Sequence, residues 1–236
     1  TPLPANLGAD TLAEGADTPA HLLDALRFGH WAIVSGFAER VPQWPSTQLA
    51  QLYLELAVPG FGAQRRWLLE HGLPAEARLS KATTVDDAEP VSSPGPRLFD
   101  ALLERLPAST EAIEELMQAG ASPAGAGLVS RALGRLGGSV QGAALPLAML
   151  AAGADPFGTD AQGRTPLHLA ALNRHGALLD ALLARGCDPN PRDANGRTPL
   201  FAAIEHGQAA LPLLRALIAH GADAEAADAN GETPLG

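Results

Sequence analysis

The sequence predicts an all-α fold, a solenoid of stacked helix-turn-helix units joined by short β-hairpin loops. Three observations predict it. Gly-Arg-Thr-Pro-Leu begins at Gly163 and again at Gly196, and Gly-Glu-Thr-Pro-Leu begins at Gly231, so the restarts are 33 and 35 residues apart. A period in that range marks a stacked repeat architecture. Leu49, Leu52, Tyr53 and Leu56 fall at i, i+3, i+4 and i+7, the spacing of one buried helical stripe. Glycines placed to end helices, Gly72, Gly120, Gly153, Gly186 and Gly221, recur at intervals of 48, 33, 33 and 35 residues.

The stretch Gly163 to Asn195, GRTPLHLAALNRHGALLDALLARGCDPNPRDAN, resembles the ankyrin repeat. That family's pattern runs from a Gly-x-Thr-Pro-Leu-His opening through two short helices to a Gly-Ala-Asp loop. The resemblance is tight over 163–236 and loose before it. It implies an ankyrin-repeat domain over 18–236 with about six repeats, at 18–45, 46–79, 97–125, 126–162, 163–195 and 196–230, and the truncated start of a seventh at 231–236. An irregular lead-in occupies 1–17, and a flexible loop is inserted at 80–96.

In chain order, Thr18 caps the first helix and Pro19 takes its first position, where a missing N–H costs nothing. Gly29-His30 closes that helix, and Ile33-Val34 begins the inner face of the second. Repeat 2 starts at Ser46; its second helix, Ala63–His71, ends at Gly72, and Leu73-Pro74 stand where the family has Ala-Asp. The text Ser80–Pro96, SKATTVDDAEPVSSPGP, is polar, proline-rich and without a helical or strand period, as expected of a mobile insertion. Removing about 15 residues there restores the long 48-residue interval to the repeat period. Repeat 3 pairs Leu98–Leu106 with Thr110–Ala119, and Glu111, Glu114 and Glu115 sit near the positive end of the second helix. Repeat 4 pairs Leu128–Leu136 with Leu145–Ala152 around a Gly137-Gly138 corner and has no Thr-Pro opening.

In repeat 5, Thr165 caps, Pro166 fixes φ, Leu167 enters the core and His168 shares a hydrogen bond with Thr165 in the manner of a capping box. The resemblance implies that His168 also ties its repeat to the next loop, and that repeat 6, with Phe201 there, exchanges that bond for apolar contact. Ala170, Ala171, Ala202 and Ala203 are small because helices converge on them. Asn195-Gly196 and Asn230-Gly231 are two-residue turn signals at the hairpin tips.

Composition narrows the function. The formal charge of −10 opposes nonspecific adhesion to nucleic acid or anionic lipid. The lone cysteine, Cys187, excludes an intrachain disulfide framework. The longest nearly apolar run, Gly142–Ala154, has 13 residues and includes Pro146, too short for a bilayer that needs roughly 20. No membrane insertion by this chain is expected. Abundant Ala, Gly, Pro and Arg suggest a high-GC bacterial source. A start at Thr1 and an end inside a repeat suggest a piece of a longer protein, which leaves its compartment open.

Candidate chemistry is sparse. None of the seven histidines shows HExxH or paired Cys/His spacing, so they read as capping and packing residues. Asp155, Asp188 and Asp223 read as loop-closing acceptors, Cys187 as filler, and Arg65-Arg66 as a solvated face. Trp31, Trp44, Tyr53 and Trp67 read as core or capping residues at the divergent end. No catalytic, cofactor or metal residue is assigned.

The resemblance implies a noncatalytic protein–protein interaction module that holds a protein or peptide partner by its hairpin tips and concave first-helix surface. Carried over by position, that surface includes Gln162, Arg164, Asn173 and Arg174 in repeat 5. It continues through Asn195, Arg197, Glu205 and His206 in repeat 6 to Asn230 and Glu232 in repeat 7. End-to-end association at the C-terminal edge is also expected, because the cut there uncovers repeat 6. The alternative is the targeting part of a larger enzyme or host-directed bacterial effector whose activity lies outside this chain.

Overall fold

Thr-Pro pairs set the helix starts. Thr18, Thr165 and Thr198 stand in extended conformation as N-caps, with Pro19, Pro166 and Pro199 following at the first helical turn; proline is pre-set in φ for that position. The structure, a computed structural model, describes residues 18–80, 95–138, 140–205 and 210–234, with backbone alone for Val140 and Gln141. The expected lead-in, residues 81–94 of the expected insertion, His206 and the final two positions lie outside the described residues.

The chain divides into two units, residues 1–121 and 122–236. The first contains α1 (Pro19–Arg27), α2 (Trp31–Gly36), α3 (Ser46–Glu55), α4 (Gly62–Glu70), α5 (Leu98–Leu103) and α6 (Thr110–Gln118). Consecutive helices pair as α1–α2, α3–α4 and α5–α6; α1, α3 and α5 stack in one layer, and α4 packs on α6 in the other. The stripe Leu49, Leu52, Tyr53 and Leu56 is buried, as its period predicts. Burial of one such leucine contributes about 1.5–3 kcal/mol. α5 ends three residues before the expected Leu106, because Pro107 disfavours helical backbone in the residue before it.

Arg65 overturns the reading of Arg65-Arg66 as a solvated face. Its side chain is 1% exposed. Nε donates to Glu115 Oε2 at 2.8 Å, Nη1 to the carbonyls of Leu56 and Val58 at 2.9 Å each, and Nη2 to Glu111 Oε2 at 3.3 Å. The carbonyls at and beyond the end of α3 lack helical partners, and the guanidinium fork supplies donors to two of them at once. Glu111 and Glu115 therefore do more than complement a helix dipole. Only Arg66 is exposed.

The aromatic residues split. Tyr53 is fully buried, and its hydroxyl donates to the Ala112 carbonyl at 2.8 Å. Trp44 packs edge-on against Phe37 and Trp67 stacks on His71, both half-buried. Trp31 is exposed, so the core-or-capping reading fails for it.

The ends of the 80–96 segment are held together. Leu79 N–H donates to the Pro96 carbonyl and Leu98 N–H to the Ala77 carbonyl, both at 2.9 Å, across an antiparallel Arg78–Arg97 bridge. The segment thus leaves and returns at one point.

The second unit contains α7 (Leu128–Leu136), α8 (Ala144–Ala151), α9 (Pro166–Leu172), α10 (Gly176–Ala184), α11 (Pro199–Ile204) and α12 (Leu211–Ala219). Here α7, α9 and α11 stack, as do α8, α10 and α12, with α7–α8, α9–α10 and α11–α12 as the pairs. Ala170, Ala171 and Ala203 have no exposed surface, as expected where helices converge. Ala202 departs from that expectation, being partly exposed on the groove described below. Leu211 and Ile218 on α12 are 49% exposed, whereas Leu183, one repeat earlier, is 4% exposed.

Candidate functional site

The site is built on three tips with one plan. Asp-Ala-x-Gly occurs at 160–163, 193–196 and 228–231. In the middle copy, Asp193 Oδ1 accepts from the N–H groups of Asn195 at 2.8 Å and Arg197 at 2.9 Å. Gly196 N–H donates to the Asp193 carbonyl at 2.9 Å, and Asp193 N–H to the Arg197 carbonyl at 3.0 Å. Asp160 and Asp228 organise their tips in the same way.

The turn is longer than the two-residue Asn-Gly turn expected from sequence. A type I′ turn needs positive φ at both central residues. Here Gly196, at φ +74, follows the central pair Ala194-Asn195, and neither of those residues has positive φ. This is the three-residue loop, a turn closed by a left-handed glycine. Among the described residues no longer strand forms; each hairpin is reduced to its closing bonds. Asp160, Asp193 and Asp228 are not among the residues expected from sequence to shape the tips, although their spacing of 33 and 35 residues is visible there.

Neighbouring tips are stitched edge to edge. Ala194 N–H donates to the Gln162 carbonyl and Ala229 N–H to the Asn195 carbonyl, both at 3.0 Å. His168 adds a side-chain tie. Its Nε2–H donates to the Arg197 carbonyl at 2.9 Å, which leaves Nδ1 of the neutral ring to accept from Thr165 N–H at 3.2 Å and the Thr165 hydroxyl at 3.0 Å. This is the expected capping box and inter-repeat bond together. Burial holds the His168 pKa below its ordinary value, outweighing the Arg197 carbonyl and the nearby Asp193 and Asp160 carboxylates.

Repeat 6 lacks that bond, as Phe201 implies, but what takes its place is a cation over the ring and not the expected apolar contact. Phe201 has no ring nitrogen, and the Arg197 guanidinium lies over its ring, 6.0 Å from the centroid, within cation–π range. The buried Thr198 hydroxyl consequently has no hydrogen-bond partner among the described residues.

Gln162, Arg164, Asn195, Arg197 and Glu205 line one groove of about 240 Å³, floored in part by His168 and Ala202. Asn173 and Arg174 border a different recess, beside Gly138 and Ala143. Asn230 and Glu232 lie exposed on the third tip. The two groove arginines are unequal. Arg164 Nε donates to Asp160 Oδ2 at 2.8 Å and Nη2 to Gln162 Oε1 at 3.3 Å. That grip and two backbone N–H donors hold the Asp160 pKa low against the opposing effect of burial. Arg197 Nε lies 3.6 Å from Asp228 Oδ2, beyond hydrogen-bond reach, and Nη1 reaches Glu205 Oε1 at 3.4 Å.

Arg174 is the one non-glycine with positive φ among the described residues, at +60. It ends α9 in a Schellman arrangement: His175 N–H donates to the Ala170 carbonyl at 2.8 Å and Arg174 N–H to that of Ala171 at 3.2 Å. Gly29 makes the same turn after α1 with φ +68.

Asp155, Asp188 and Asp223 each accept a backbone N–H two residues on, the loop-closing role expected of them. Cys187 is buried, and burial pushes its thiol pKa up, away from a reactive thiolate. No group of three or more His, Cys, Asp or Glu among the described residues is arranged to hold a metal ion.

A family model described as ankyrin repeats (3 copies) matches residues 175–236. That stretch of the chain carries ankyrin repeats. No curated protein matches the chain. Ankyrin repeats generally mediate protein–protein interaction, and no helix among the described residues is long and apolar enough to cross a membrane.

Proposed function

We propose that the groove between the first two tips is where this ankyrin array holds a protein or peptide partner, without catalysing a reaction. One observation carries the reading: five polar side chains from two neighbouring repeats, none needed for the helix core, line the same groove. The chain's charge of −10 disfavours nucleic acid as that partner.

Arg164 and Arg197 pair with loop carboxylates, so replacing them perturbs the tips as well as the surface. A cleaner test combines Gln162→Ala with Asn195→Ala, with exposed Asp180→Ala as control. A partner captured by the parent protein and by the control should be lost from the double variant at unchanged melting temperature. Undiminished capture by the double variant would refute the groove assignment.

The half-exposed Leu211 and Ile218 on α12 support association at the C-terminal edge, since contiguous apolar surface favours contact. Sedimentation should show a concentration-dependent larger species that Ile218→Lys abolishes; a monomer at all concentrations removes this part of the proposal.

A further inference from the structure

Repeats 5 and 6 carry the same Arg-Thr pair, at 164–165 and 197–198, yet only repeat 5 satisfies both side chains. Thr165 pairs with His168 Nδ1, and Arg164 grips Asp160 of its own tip at 2.8 Å. In repeat 6, Phe201 leaves the Thr198 hydroxyl without a partner, although Thr198 is 1% exposed and lines the groove. An orphaned buried polar atom is costly and calls for an explanation.

Arg197 is similarly underused. Its guanidinium faces the next tip, with Nε and Asp228 Oδ2 both buried, both without a hydrogen bond among the described residues and 3.6 Å apart. Its outer edge meets Glu205, at 3.4 Å with that side chain 55% exposed. A charge-assisted guanidinium–carboxylate bond closes to about 2.7–2.9 Å when the geometry is good, so Arg197 pairs with both carboxylates at longer range than Arg164 does with Asp160.

Two donors, the Arg197 fork and the Thr198 hydroxyl, thus line one groove with their strongest bonds unmade. From this juxtaposition we infer that the groove takes a carboxylate, the side chain of one Asp or Glu in a bound peptide segment. That carboxylate replaces Glu205 on the outer edge of Arg197 and accepts the Thr198 O–H. The exchange is neutral in charge, because one carboxylate leaves the guanidinium as another arrives. The chain's net charge of −10 repels a polyacidic ligand at long range, so the segment recognised carries a single acidic residue in neutral or basic surroundings. This inference rests on the groove being the partner site.

The test selects 12-residue peptides from a random display library on the whole protein and measures synthetic copies by fluorescence anisotropy. Peptides should share one Asp or Glu, and its replacement by Asn or Gln should weaken binding about tenfold, as expected for a lost charge-assisted pair. Glu205→Gln should tighten binding about threefold by removing the competing carboxylate. Arg197→Gln should erase the difference between acidic and amide peptides. Thr198→Val replaces an unpaired hydroxyl with a methyl group, so it should weaken binding without lowering the melting temperature, a combination that a merely structural role would not produce. Peptides lost on Gln162→Ala with Asn195→Ala, but indifferent to their own acidic residue and to Thr198→Val, would keep the groove and overturn the carboxylate. Peptides unaffected by every groove substitution, or no selected peptide, would overturn both.

Discussion

His168 Nε2 donates to the main-chain carbonyl of Arg197 at 2.9 Å, so one imidazole caps α9 and fastens the next tip to it. Both ring nitrogens are committed, and the ring must stay neutral to serve both bonds. His168→Phe, which copies the residue of repeat 6, should destabilise the protein by about 1–3 kcal/mol, because the Arg197 carbonyl and the Thr165 hydroxyl lose their partner. Urea denaturation measures this directly.

The same ring predicts a pH dependence. Its folded pKa lies below the ordinary 6.5, so above that value the ring is neutral in both states and its contribution is complete. As the pH falls through 6.5, the unfolded chain binds a proton that the folded protein resists, and stability declines until the folded pKa is reached. His168→Gln should flatten the stability profile just below pH 6.5, as read by urea midpoints on either side of that value.

Arg174 pays for its left-handed backbone, a conformation that costs a non-glycine residue about 1–2 kcal/mol. Glycine also loses more entropy on folding, so Arg174→Gly should stabilise the protein by about 0.5–1 kcal/mol net. A raised denaturation midpoint checks it. Gly29→Arg, at the matching turn of the first unit, should move the midpoint the other way.

Arg65→Met should cost about 3–5 kcal/mol, the range for removing one partner of a buried ion pair, because Glu115 and the carbonyls of Leu56 and Val58 lose their donor. Arg65→Lys should not rescue it, since one ammonium cannot reproduce the fork. Arg66→Ala, one residue away and exposed, should stay within about 0.5 kcal/mol of the parent.

Gly158 packs against the backbone of Gly127, and a methyl group built there runs into the Gly127 amide nitrogen and Cα. Ser130 Oγ also donates to the Gly158 carbonyl at 2.6 Å. Gly158→Ala should therefore cost about 1–3 kcal/mol as overpacking. Gly134→Ala, which meets open space on α7, should be neutral or stabilising by up to about 1 kcal/mol. Thermal melts of the two variants separate these outcomes.

Local chemistry determined much of this protein from sequence alone. Caps, proline starts, glycine ends and the period-3.6 stripe placed the helices, and the Thr-Pro-Leu-His unit announced the His168 bond network, because each depends on residues a few positions apart or one repeat away. What neighbouring chain segments decide was not legible in the same way. Arg65 reads as one half of an exposed basic pair until the turn after α3 brings two carbonyls, and α6 two carboxylates, around it. Arg164 and Arg197 occupy matching positions in identical pentapeptides, yet one is clamped by its own tip and the other left between Asp228 and Glu205. Phe201 for histidine was visible as a substitution; that it strands the Thr198 hydroxyl beside a groove is a property of burial, which only the packed structure sets.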